Sequence, residues 1–177
     1  LIFLAQPIEA LGGEYSPELV AIAQAMNLPV IEGDVHALPE AVQPAHYNVV
    51  TALAVLEHLT DPAQAMREAH RALMPGGTFV ASAPNPFWDM LASKVGLHKE
   101  EEHHELGITP KLFQRLCNES GLIFEGFRPF MFLPTAFLPY LKVIPPTGLS
   151  CYVDNLLQHE KLSPLFVNQL FIAKKPV

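Results

Sequence analysis

Short apolar runs alternate along this chain with segments whose apolar residues recur every three or four positions. "IEALGGEY" reads as a short strand, after which Ser16 supplies a helix N-cap and Pro17 the first helical residue. Leu19, Ile22, Ala23 and Met26 follow at helical spacing and predict one apolar face. "LPVIEGD" is a second strand. "HYNVVTALAVL" is a third, apolar on both faces as buried parallel strands are. Asp61 caps the next helix and Pro62 opens it; Met66, Ala69 and Leu73 form its inner stripe until Pro75-Gly76-Gly77 stops it. "GTFVASAP" is a fourth strand. After a less regular piece from Asn85 to Gly107, Thr109-Pro110 opens a helix with Leu112, Phe113 and Leu116 facing inward and Gly121 at its C-cap. "LIFEGFRPFMF" and "LFVNQLFIAKK" are the last two strands, with a Pro-broken apolar tract between them. Repeated strand–helix units with short loops predict a doubly wound α/β sheet. Ligands of such sheets bind outside the carboxyl ends of the strands, which is where Glu14 and Asp34 fall.

Composition narrows this picture. A length of 177 residues suits a single domain with a real core, and 16% charged against 50% apolar residues excludes extended disorder. A net charge of −7 with only 11 Lys+Arg argues against nucleic acid as a partner, though not against a small ligand carrying positive charge. Two cysteines, Cys117 and Cys151, close at most one bridge, so a reducing cytoplasm is the default location. "LIFLA" is too short for a signal peptide and lacks a basic flank. "PFMFLPTAFLPYLKVIPP" is broken by Pro129, Pro134 and Pro139, which makes it a poor transmembrane segment. Without an initiator Met, the natural N-terminus is expected upstream of Leu1 or removed by processing.

Four segments together resemble the class I S-adenosylmethionine (SAM)-dependent methyltransferases, type 11 group, which includes the ubiquinone-pathway O-methyltransferases. They are "GGEYSPELVAIAQ", "LPVIEGDVHALP", "YNVVTALAVLEHLTDPAQAMREAHRALMPGGTFVASAPNP" and "HHELGITPKLFQRLCNESGLIFEGF", in the family's order. The resemblance implies a Rossmann-like, mostly parallel seven-stranded sheet with an antiparallel last strand, and SAM as cofactor. It assigns Glu14 to the two ribose hydroxyls, a task that suits the two acceptor oxygens of a carboxylate. Tyr15 would lie against the adenine, Asp34 would take its exocyclic amine, Val35 would flank the ring, and Leu53 would line the methionine end. Read without the family, Glu14 is equally a solvated strand-end carboxylate and Asp34 a turn former.

The family's glycine-rich D-x-G-x-G-x-G turn has no match here, so the chain reads as an N-terminally incomplete domain over residues 1–177, with strand 1 missing. That strand lies centrally in the family, and its loss would leave neighbouring edges unpaired. Methyl transfer is an in-line displacement, and an oxygen acceptor also needs its proton removed. Glu57 and His58 in "LEHL" are the candidates for that base, or else residues that shape the loop. His103, beside His104 in "HKEEEHHELGIT", is a further catalytic candidate in a segment that covers the acceptor site in relatives; these histidines are otherwise lid contacts, and Glu100–Glu102 a solvated face. No metal ligand set is assigned. Residues 86–107 and 129–160 are expected to be acceptor-site or lid insertions. Phe127, Phe130, Phe132, Phe137 and Tyr140 would line a lipophilic or aromatic small-molecule acceptor site, touch a membrane peripherally, or form a packed flap or homodimer patch. Two other classes share the fold: a non-catalytic relative, favoured by the missing glycine turn, and a nicotinamide-dependent oxidoreductase, which gains nothing from "LEHL" or "PGG".

Overall fold

Strand β1 (Gly12–Glu14) pairs in parallel with β2 (Val30–Glu32), placing Gly12 opposite Val30 and Glu14 opposite Glu32. These strands belong to the first of two units into which the computed structural model divides, residues 1–42 and 43–177. Residues 10–88, 90, 107–132, 147–157 and 160–177 are described. Helix α1 (Pro17–Ala25) joins β1 to β2 and starts as its sequence demands. Ser16 is extended, its Oγ accepts the Leu19 N–H at 3.4 Å, and Pro17 presets the first helical φ. Asn27 ends the helix in the left-handed region, at φ 58°.

The apolar face expected on α1 is not the buried one. Val20 is the buried residue of the helix, whereas Leu19, Ile22 and Met26 stay 52%, 58% and 66% exposed. Periodicity identifies a stripe, but a neighbouring layer decides whether it is covered.

In the second unit, β3 (Tyr47–Leu53), β4 (Leu73–Pro84), β5 (Ile123–Phe132) and β6 (Phe166–Lys174) form one four-stranded sheet in the order β3-β4-β6-β5. β3 runs parallel to β4, and β6 runs antiparallel to both β4 and β5. Of the seven-stranded sheet expected, with its first strand missing from this chain, the described residues form six strands, in two sheets rather than one. β3 was expected to be buried on both faces. Among the described residues it is an end strand, and no helix covers the face that carries Val49, Thr51 and Leu53, so Val49 and Leu53 are 53% and 57% exposed.

Helix α2 (Pro62–Ala72) is capped by Asp61, whose Oδ1 accepts the Gln64 N–H at 2.9 Å. It stops at Ala72, before Pro75-Gly76-Gly77, because Leu73 already pairs with Tyr47 as the first residue of β4. Leu73 is buried as expected, but from a strand. Lys175 Nζ donates to the carbonyls of His70 and Leu73, both at 2.8 Å, and so satisfies the helix end. Helix α3 (Pro110–Ser120) repeats the same start with Thr109, and Gly121 at φ 78° ends it. α2 and α3 pack together over the sheet face that carries Phe79, Ala81 and Phe171. Phe113 of α3 stacks on Phe171 with centroids 4.6 Å apart, and Met66, Leu116 and Cys117 fill the space around it. Helix α4 (Thr147–Leu157) contacts β5 from the tract expected to be an insertion. Residues 129–132 of that tract extend β5 itself.

Candidate functional site

The acidic tips of the first unit are oriented by bonds to their own neighbours in sequence. Glu14 closes β1, and its Oε1 accepts the Ser16 backbone N–H at 2.9 Å, at the entrance to α1. The same serine donates its hydroxyl to Glu18 Oε2 at 2.7 Å, which holds the Glu18 carboxyl below its ordinary range. Asp34 follows β2. Its Oδ1 accepts both the backbone N–H of His36 at 2.8 Å and, from the His36 ring, Nδ1 at 2.9 Å. The backbone N–H of His36, then its ring, holds the Asp34 carboxyl below the usual range, so it is ionised at neutral pH. The turn-forming role foreseen for Asp34 is therefore present and occupies Oδ1.

Tyr15, Pro17, Glu32, Gly33 and Asp34 line an open concavity of about 240 Å³. That is smaller than the roughly 300–1,000 Å³ of a complete ligand pocket and suits one part of a ligand. Tyr15 is 76% exposed beside it, as a stacking surface requires. Val35 is half-buried next to Asp34 and is not among the lining residues. Gly33 is there for space: a Cβ at this position would lie 2.8 Å from Pro39 Cδ. Glu32 was missed from sequence, because its letter looks like any solvated strand end. Its register opposite Glu14 is the signal that would have found it.

Leu53, in the second unit, ends β3 with an exposed side chain. A 3-10 turn from Leu56 to His58 follows, and it separates the expected acid–histidine pair. Leu56 and Glu57 are 1% and 2% exposed, whereas His58 is exposed. Neither carboxylate oxygen of Glu57 has a hydrogen-bond partner among the described residues. Glu57 therefore sits inside the turn rather than beside His58 at the surface, and His58 is the accessible member.

His103 lies outside the described residues, as do His98, His104, Phe137 and Tyr140. Of the aromatic tract, Phe127 packs on Phe171 and Phe132 on Phe166, with centroids 6.2 and 5.7 Å apart. These rings serve the β5–β6 pairing. Burial pushes the Cys117 thiol up to about 12, so it is an inert core group. Among the described residues no three His, Cys, Asp or Glu side chains converge, and no helix is long and apolar enough to cross a membrane.

The profile of the family described as "Methyltransferase domain" matches residues 2–81. A probable S-adenosylmethionine-dependent methyltransferase of Mycolicibacterium smegmatis is 36% identical over 77 residues, 42% of this chain and 29% of that protein. A ubiquinone biosynthesis O-methyltransferase of Pseudomonas aeruginosa is 45% identical over 42 residues, 24% of this chain and 18% of that protein. The matched stretches thus span less than a third of these relatives' lengths. The crystal structure of a SAM-dependent methyltransferase from Thermotoga maritima superposes with a TM-score of 0.67 at 18% identity, covering 93% of this chain and 72% of that one. The fold is the Rossmann-like α/β fold of the methyltransferases. Over residues 2–81 the chain is thus similar to the class I SAM-dependent methyltransferases, type 11 group, a family whose cofactor is S-adenosylmethionine.

Proposed function

We propose that the protein containing this chain transfers a methyl group from SAM to a small acceptor. The carrying observation is the pair of carboxylates, Glu14 and Asp34, at the carboxyl ends of two adjacent parallel strands, each held by one oxygen. Asp34 lines the shallow concavity, and Glu14, which does not, directly precedes its lining residue Tyr15; two such acceptor groups suit the amine of an adenine and the hydroxyls of a ribose. In this reading Glu14 takes the ribose, Tyr15 lies against the base, Asp34 takes the exocyclic amine, and Val35 flanks the ring. Leu53 lines the methionine end. SAM when bound supplies an activated methyl group; the chain's own residues hold donor and acceptor in line and keep water out.

An oxygen acceptor is favoured by the likeness to a protein named as an O-methyltransferase. His58, accessible at the turn after β3, is then the candidate for proton removal, with His103 the second. The buried Glu57 would support the turn. The outer edge of β3, with Val49 half exposed, suits pairing with a further strand in a seven-stranded sheet. A cytoplasmic location fits a chain with only two cysteines. Calorimetric titration of the full-length protein with S-adenosylhomocysteine tests the proposal. Saturable one-to-one binding is expected, and its absence would overturn the reading.

A further inference from the structure

The backbone leaves β3 through a conformation that its sequence disfavours. Ala54, directly after Leu53, lies in the left-handed region at φ 54°, where a Cβ crowds the carbonyl that follows it. Its N–H is held twice from one residue on the neighbouring strand. It donates to the Ser82 carbonyl at 3.0 Å and to the Ser82 hydroxyl at 3.1 Å. Ser82 is the register partner of Leu53 on β4, flanked by Ala81 and Ala83, whose side chains face the buried core. The carbonyl bond needs no particular side chain, whereas the hydroxyl bond depends on serine. The turn it holds leads into Leu56 and Glu57, both buried, and leaves Leu53 exposed at the strand tip.

We propose that Ser82 is a positioning residue for cofactor binding, its hydroxyl locking the left-handed bend at Ala54 that sets Leu53 at the methionine end of the site. This rests on the methyltransferase reading above. Without the hydroxyl the Ala54 N–H keeps only its bond to the Ser82 carbonyl, so the strained bend is held less firmly while the strand stays paired. Ser82 needs no contact with the ligand for this role.

The test compares Ser82→Thr with Ser82→Val in the full-length protein. The two replacements share shape and strand preference and differ in the hydroxyl. S-adenosylhomocysteine affinity is measured by calorimetry and thermal stability by circular dichroism. Ser82→Thr should bind within about twofold of the natural protein, and Ser82→Val about fivefold more weakly, the equivalent of one hydrogen bond. In an Ala54→Gly background, where the bend carries no strain, the same pair should differ by less than about twofold. Equal affinities for Thr and Val, with or without a change in melting temperature, would overturn the inference while leaving the methyltransferase reading intact. A natural protein that does not bind S-adenosylhomocysteine would overturn both.

Discussion

The two units of this chain keep their shape by different means. In the first, two strands of three residues lead into Glu14 and Asp34, and one side chain of the joining helix is buried. Its acidic tips are fixed by short bonds within a few residues: Glu14 to Ser16, Asp34 to His36. In the second, Phe79, Phe113 and Phe171 are fully buried between helices and a four-stranded sheet, and contacts cross most of its length. Locally held polar groups can be changed with little cost to folding, and packed aromatic groups cannot. The polar contacts of Glu14 and Asp34 in the first unit and the aromatic packing of the second are therefore expected to be separable by mutation.

The largest effect should come from Phe113→Ala, which empties the centre of the stack and is expected to cost about 3–5 kcal/mol in denaturant unfolding. Asn85→Ala should come next. Its Nδ2 donates to the carbonyls of Ser163 and Phe166, at 2.8 and 3.1 Å, and its Oδ1 accepts from the Phe87 N–H at 3.1 Å. With the residue 6% exposed, a loss of about 1–3 kcal/mol is expected in the same measurement. On the other side of the comparison, Asp34→Asn keeps an acceptor for the His36 N–H but loses the charge. It should weaken S-adenosylhomocysteine binding about fivefold at an unchanged melting temperature. A drop in melting temperature as large as that of Asn85→Ala would break the separation.

The smallest effect is a pH slope at the end of α2. Burial, and then the Lys175 ammonium, hold the His70 imidazole below its ordinary value of 6.5. The unfolded chain therefore takes up a proton near pH 6.5 that the folded chain accepts only at lower pH. His70 contributes stability above that pH, and the contribution is lost as the pH falls through the lowered folded value. Melting temperatures of His70→Gln, followed from neutral pH down to about pH 5, should fall less steeply than those of the natural chain.

Three helix starts were legible because one grammar serves them. Ser16-Pro17, Asp61-Pro62 and Thr109-Pro110 each place a capping oxygen before a proline, and each caps as read. Gly121 was legible as a left-handed stop for the same kind of local reason. What was not legible depends on neighbours. The stripe of α1 and the faces of β3 look like core in sequence, yet their exposure is set by which layers lie beside them. The early start of β4 at Leu73 is decided by pairing with Tyr47, not by the glycines downstream. At the candidate site, Glu14 and Asp34 stood out as acids at strand ends. Glu32, the burial of Glu57 and the double hold of Ser82 on Ala54 exist only once strands are in register.

The ribose grip of Glu14 is tested most directly by titrating the full-length protein with S-adenosylhomocysteine and with its 2′-deoxy analogue, each against the natural chain and Glu14→Ala. The natural chain should prefer the ribose form by about tenfold, as for a hydrogen bond to a charged group, and Glu14→Ala should bind both forms equally. A preference that survives intact in Glu14→Ala would contradict the account.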